Sequence, residues 1–245
     1  MQEFALFYKR EHTIAYLQRK MPYHYFVYKR LMGEIQSRVA SLQLDKLKKD
    51  ETQLSILDYG AGLGSGLWAA MHCYGDTIGR VAAVEPNINM RKLGKYLTED
   101  LNQNNNILWV DSLAMIPGHG GERGKFDVAI LGYVLQEVNS QKGRQMVLEA
   151  LWARVKDGGV LLVVEPGSPK GFRYIHSVRE WVLAKERSEA SIVAPCPHHG
   201  KCPMGKNPDL WCNFSQLTQK IPNNVFPKKP TEPDIVNEKY SYLII

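Results

Sequence analysis

The 245 residues carry 31 lysines and arginines against 25 acids, a formal net charge of +6, with 44% hydrophobic residues. That length and apolar content suit one α/β domain with an appendage, or two small units, and no apolar run is long enough to span a bilayer. Three of the four cysteines fall in one short stretch, which argues against a disulfide framework and for a metal or cluster site.

The chain opens helical. Phe4 to Gln18 mixes charge with Phe4, Phe7, Ile14, Tyr16 and Leu17. Pro22 suits the first turn of a second helix. There Val27, Leu31, Ile35 and Val39 recur every four residues as one apolar stripe, with Lys29, Arg30 and Arg38 off it. Those cations are either a solvated face or a phosphate-contacting one. Leu44 to Thr52 is charged and reads as a link from this helical cap to the sheet. The start, Met1-Gln2-Glu3-Phe4, has neither a secretory h-region nor an Arg/Ser-rich presequence, so an organellar address is expected to have been removed or to lie outside this chain.

Leu54–Leu57 is the first predicted strand. It runs into Asp58-Tyr59-Gly60-Ala61-Gly62-Leu63-Gly64-Ser65-Gly66, and a helical pattern begins at Leu67. Such a strand-to-helix turn needs residues that tolerate positive φ and a backbone that a ligand can approach closely. The helix amides beyond it face whatever lies above the sheet. A Gly-x-Gly-x-Gly run alone does not choose the ligand. Asp58 does, because a carboxylate there repels a pyrophosphate and attracts the ammonium and sulfonium of S-adenosylmethionine (SAM).

Further strands are predicted at Arg80–Val84, Ile107–Val110, Phe126–Leu131 and Val160–Val164, with helices at Leu67–Cys73, Met90–Leu101 and Gln145–Val155 between them. This alternation implies right-handed crossovers and a parallel sheet, with ligands at the carboxyl ends of the strands. Acids fall at those ends. Glu85 is placed for ribose hydroxyls and Asp111 for an adenine amino group, so the candidate cofactor-binding set is Asp58, Gly60, Gly62, Gly64, Glu85 and Asp111. An NAD site also wants an acid after the second strand, but it explains Asp58 less well. After the fourth strand stands Leu131-Gly132-Tyr133-Val134, without the Asp/Asn-Pro-Pro-aromatic run that grips an exocyclic amine. Pro195-Cys196 has the dipeptide of a pyrimidine-carbon methyltransferase, but it lies beyond the fifth strand and reads as a ligand. No catalytic residue is assigned: the sequence supports SAM binding better than methyl transfer.

Ser168-Pro169-Lys170-Gly171-Phe172-Arg173 then leads into a helix from Tyr174 to about Glu186, given a basic start by Lys170, Arg173 and Arg179. Next comes Pro195-Cys196-Pro197-His198-His199-Gly200-Lys201-Cys202-Pro203, followed by Trp211-Cys212-Asn213-Phe214-Ser215. Thiolates are soft ligands that suit zinc or iron–sulfur clusters. Cys196, Cys202 and Cys212 are the candidate metal ligands, and His198 or His199 could complete a tetrahedral zinc site. Cys73 lies in the first crossover helix as a core thiol.

Nearly the whole chain resembles the methyltransferase-like family of mitochondrial ribosomal small-subunit proteins and assembly factors, which has bacterial relatives. The resemblance rests on Cys196-Pro197-His198-x-Gly200-x-Cys202-Pro203 with Trp211-Cys212-x-Phe214-Ser215, on Glu165-Pro166-Gly167-x-Pro169-x-Gly171-Phe172-Arg173, on the Asp58 glycine turn and on Arg19-x-Met21-Pro22. It implies a Rossmann-like class I methyltransferase fold in the mitochondrial matrix, partners among small-subunit rRNA, ribosomal proteins and other assembly factors, and a [4Fe–4S] cluster bound by four cysteines, with zinc as the alternative. Carried over by position, Cys196, Cys202 and Cys212 are three cluster ligands, and the fourth family cysteine lies further toward the C-terminus. The expected function is a small-subunit assembly or structural factor that binds rRNA and retains a SAM-type pocket. The alternatives are an active SAM-dependent rRNA methyltransferase and a small-molecule SAM enzyme.

The expected organisation is a helical region over 1–50, a Rossmann-like domain over 51–190, and a cysteine-rich segment with the last strand over 191–245. Glu238–Ile245 reads as the sixth strand. The seventh, antiparallel strand of the family fold is then missing, so a further segment or a second polypeptide is expected to complete both the sheet and the metal site.

Overall fold

A computed structural model describes residues 9–103, 106–118, 121–185, 189–207, 209–220 and 234–245. Three helices come first: α1 (Arg10–Arg19), α2 (Met21–Arg38) and α3 (Leu44–Lys49). Phe4 and Phe7, expected in the first helix, lie outside the described residues, as does Glu186 at the expected end of the last. Val27, Leu31 and Ile35 of the α2 stripe are fully buried, each contributing about 1.5–3 kcal/mol of apolar burial. The predicted link from Leu44 is a short helix instead, because Leu47 finds a buried place in the core.

The strands are β1 (Leu54–Tyr59), β2 (Ile78–Val84), β3 (Asn106–Val110), β4 (Phe126–Gly132), β5 (Val155–Pro166), β6 (Phe214–Gln219) and β7 (Ile235–Ile244). Helices α4 (Ser65–Tyr74), α5 (Ile88–Leu97), α6 (Gln141–Trp152) and α7 (Pro169–Leu183) connect or follow them. Helix α6 starts before the predicted Gln145 because Ser140 caps it, its hydroxyl accepting from the Gly143 amide at 3.0 Å. All seven strands form one sheet in the order β3-β2-β1-β4-β5-β7-β6. The first five are parallel, β7 is antiparallel to β5, and β6 is antiparallel to β7. This order and sense is the Rossmann-like methyltransferase arrangement.

The C-terminal strands differ from the expectation. The segment Glu238–Ile245 belongs to the antiparallel β7, with Glu165 opposite Ser241 and Val163 opposite Leu243. The sixth strand is Phe214–Gln219, whose Ser-Gln-Leu-Thr-Gln run alternates between half-buried and exposed at the sheet edge. An edge strand with one paired flank and polar residues lacks the apolar run that marks the inner strands. The expected gap in the sheet is therefore absent: seven strands lie within residues 54–244.

Alternate residues along the strands serve two cores. Ile56, Val128, Ile130, Leu162 and Tyr242 join the layer with α2 and α4. Leu57, Ala129, Leu131, Leu161 and Leu243 join that with α6 and α7. Among the described residues no helix is long and apolar enough to cross a membrane.

Candidate functional site

The strand order reverses between β1 and β4, and the carboxyl ends of these strands carry the candidate residues. Gly60, Gly62 and Gly64 have φ of +72°, +56° and +89°, so the turn needs glycine at all three. The Gly62 amide donates to Glu85 Oε2 at 2.9 Å, and the Asn87 amide donates to Glu85 Oε1 at 2.7 Å. Glu85 thus stitches the glycine turn to the N-terminus of α5. Burial pushes its carboxyl up, while these two amides and Arg91 pull it down. Each of its oxygens keeps a second lone pair for a ribose hydroxyl. Asp111 follows β3 and is exposed.

Asp58 is 2% exposed, and its Oδ2 has no hydrogen-bond partner among the described residues. Burial pushes its carboxyl up to about 7 against the Leu67 amide hydrogen bond, and the Glu85 charge adds to the rise. A Cβ on Gly66 would stand 2.8 Å from Asp58 Oδ2, so only glycine lets α4 begin over this carboxylate. An ammonium or sulfonium fits that orphaned oxygen. At Gly60 a side chain comes close: Val134 Cγ2 would stand 2.2 Å from a Cβ there, whereas around Gly62 the Met90 methyl and Tyr16 hydroxyl lie at ordinary contact distances of 3.6 and 3.7 Å. The donor set therefore fits SAM once Val134 gives way.

Beyond this pocket, where a methyl acceptor would meet the end of β4, the chain fills its own space. Tyr133 has φ +62°, a strained value for a bulky residue, and its amide is held by Val164 O at 2.7 Å. Its ring stacks on His24 of α2, with centroids 3.8 Å apart and planes 8° apart. Tyr28 meets Tyr133 edge-on at 6.1 Å. The Tyr16 hydroxyl lies 3.1 Å from His24 Nδ1. Burial, with Lys20 nearby, lowers His24 to about 3, so it is neutral at physiological pH. Glu165, fully buried at the end of β5, accepts from the Leu135 amide at 2.7 Å through Oε1, while its Oε2 has no hydrogen-bond partner among the described residues. Burial pushes it up to about 8 despite the Leu135 and Gln136 amides, with Glu137 adding to the rise. Tyr16, His24 and Tyr28 carried no motif, and Glu165 stood in one only as part of the Glu165-Pro166-Gly167 run, with no site role assigned. Their relation to Tyr133 exists only once the helical cap packs on the sheet.

A second site lies under the cysteine segment. Cys196, Cys202 and Cys212 line one largely apolar cavity of about 50 Å³, several times the ~10–15 Å³ that one water needs. His176 and Arg179 of α7 and His198 line it too. Burial raises the Cys212 thiol, and the neighbouring Cys196 and Cys202 raise it further. Three cysteines with two histidines around one cavity are a donor set whose chemistry suits a soft metal centre. Among the described residues no three ligating side chains stand close enough to hold a metal ion as they are. His198 is poorly suited as the fourth ligand. Its Nδ1 faces the Gly200 amide at 3.0 Å and Arg179 Nη2 at 3.3 Å, two donors that put the ring proton on Nε2. His176 is the imidazole that the motif did not reveal.

Arg179, part of the basic start of the last helix, is 5% exposed and turned inward. Nη2 donates to His198 O at 2.8 Å and Gly200 O at 2.9 Å, and Nη1 to Cys196 O at 3.4 Å. Of the other basic residues near the cysteine segment, Lys170, Arg173 and Lys201 are exposed. Arg38 pairs with Glu34 at 2.9 Å, and Arg30 donates to Ser215 O at 3.1 Å.

Residues 10–245 match the family described as mitochondrial small ribosomal subunit Rsm22. The human mitochondrial ribosome assembly protein METTL17 is 28% identical over 95% of this chain and 48% of its own length. The Schizosaccharomyces pombe mitochondrial Rsm22-cox11 tandem protein 2 is 26% identical over 95% of this chain and 31% of its own. The chain thus spans half or less of the curated relatives it matches. A putative RNA methyltransferase from Pyrococcus horikoshii superposes with a TM-score of 0.49 at 9% identity, over 89% of this chain and 82% of that one. With all but its first nine residues matched, the chain belongs to the mitochondrial small ribosomal subunit Rsm22 family.

Proposed function

We propose that this chain works in the mitochondrial matrix as an assembly or structural factor of the small ribosomal subunit, binding its rRNA without methylating it. The family and the names of the curated relatives support the ribosomal setting. The observation that carries the non-catalytic reading is the stack of His24 on Tyr133, which fills the acceptor position from within the chain. The SAM-type pocket of Asp58, Gly60, Gly62, Gly64, Glu85 and Asp111 is retained as a binding site. SAM there would supply a positive group to the unpartnered Asp58 oxygen.

Cys196, Cys202 and Cys212 hold one metal centre, a [4Fe–4S] cluster on the family resemblance, with zinc as the alternative. The shared cavity supports this reading. In the cluster case a fourth ligand comes from His176, from a further segment or from a second polypeptide. The rRNA contact is to phosphates, through Lys170, Arg173 and Lys201 near the cysteine segment.

The test is to incubate the metal-loaded protein with small-subunit rRNA and methyl-labelled SAM over a series of salt concentrations. RNA binding that weakens as salt rises, without label entering the RNA, is expected. Label incorporated in proportion to enzyme turnover would establish the methyltransferase instead.

A further inference from the structure

We propose that Arg179 is the counter-charge and positioning residue of a net-anionic metal–thiolate centre bound by Cys196, Cys202 and Cys212. The proposal rests on the metal reading above and adds the sign of the occupant's charge and the residue that answers it. Arg179 is 5% exposed, and among the described residues no ion pair involves it. Its Nη1 and Nη2 donate to three carbonyls, of Cys196, His198 and Gly200, which do not neutralise its charge. A buried cation without an anion is strongly disfavoured.

Arg179 also lines the cavity that the three cysteines line. While those thiols are protonated the cavity offers no negative charge. Metal binding strips their protons. Three thiolates on a zinc dication leave one net negative charge, and four on a [4Fe–4S] dication leave two. Either centre supplies the anion that Arg179 lacks.

The fork also fixes geometry. Arg179 stands on α7, and its carbonyl contacts begin at Cys196 and stop two residues short of Cys202. It pins the first half of the ligand loop to a rigid helix before any metal arrives, as a planar guanidinium does better than an ammonium. Lysine at this position would keep the charge and lose the fork.

The experiment uses the full chain, R179Q and R179K, each reconstituted anaerobically and analysed for iron, sulfide and zinc. Release of the centre to a chelator is timed, and for a cluster the midpoint potential is measured. Release at least tenfold faster from R179Q than from wild type is expected, with R179K between them. The cluster potential should become more negative in R179Q and return toward wild type in R179K, a charge effect that a merely structural residue would not produce. For zinc, the ordering of release rates carries the same test. If R179Q does not accumulate folded, R179K against wild type decides by release rate. Release within twofold of wild type in every variant obtained, with an unmoved potential, overturns the role of Arg179. A wild-type protein that takes up no metal overturns the metal reading itself, and the two failures are distinct.

Discussion

The imidazole of His24 and the phenol of Tyr133 stack at 3.8 Å although 109 residues separate them, one on the helical cap and the other at the end of β4. The contact ties the cap to the place where this fold would accept a methyl group. Removing it leaves a hole beside a strained backbone. His24→Ala should lower the unfolding free energy by about 2–3 kcal/mol, from the missing ring stack and the cavity together, and His24→Phe should restore most of it. Denaturant titration of the three proteins checks this.

That stack also marks what the sequence could not disclose. The glycine turn, the strands β1 to β5 and the acids at their ends were legible because each is a local pattern of φ-tolerant residues, apolar runs and strand-end charges. The spacing of the cysteines pointed to one shared place, and all three line a single cavity. The contacts of Tyr16, His24 and Arg179 were not legible, since nothing local tells an inward arginine from an outward one. Arg179 reads as a basic helix start and is instead spent on three carbonyls of the loop beyond α7. The edge strand β6 was hidden for another reason. Its residues Phe214 and Ser215 are part of the cysteine motif, and its polar alternation resembles a loop.

The buried titratable groups predict two opposing pH dependences. His24 has a folded pKa near 3 against an ordinary 6.5, so the unfolded chain binds the extra proton between those values and stability falls as pH drops through that window. Glu165 runs the other way. Its pKa near 8, against 4.5, means the folded state holds the extra proton, and stability falls as pH rises from about 4.5 to 8. Each contributes on the order of a few kcal/mol. Glu165→Gln should flatten the decline toward pH 8, and His24→Phe the decline toward pH 3. Stability curves from pH 3 to 9 for both variants and wild type provide the check.

SAM affinity is expected to respond in opposite directions at two residues of one pocket. Asp58→Asn removes the charge facing the cofactor's positive groups and should weaken binding at least tenfold. Val134→Ala clears the approach to Gly60 and should strengthen it several-fold. Calorimetry on the metal-loaded protein measures both. Unchanged affinity in Asp58→Asn, or in Asp58→Ala with Glu85→Ala, would refute the pocket.

The phosphate contacts are tested by reversing exposed charges only. Lys170→Glu with Arg173→Glu should weaken binding to small-subunit rRNA and to unrelated RNA alike. The slope of log affinity against log salt should fall by roughly one for each phosphate that the variant no longer neutralises. Weakening confined to one sequence, with the slope unchanged, would contradict a backbone interaction.

The proposed role in small-subunit assembly without methyl transfer has a direct readout in mitochondria with and without the protein. Mass spectrometry of methylated nucleotides in small-subunit rRNA is measured alongside the yield of assembled subunits. Subunit yield is expected to fall without the protein, while the methylation of the rRNA that remains is unchanged at every position. A nucleotide that loses its methyl group in its absence, and regains it with the wild-type chain but not with Asp58→Asn, would contradict a non-catalytic role.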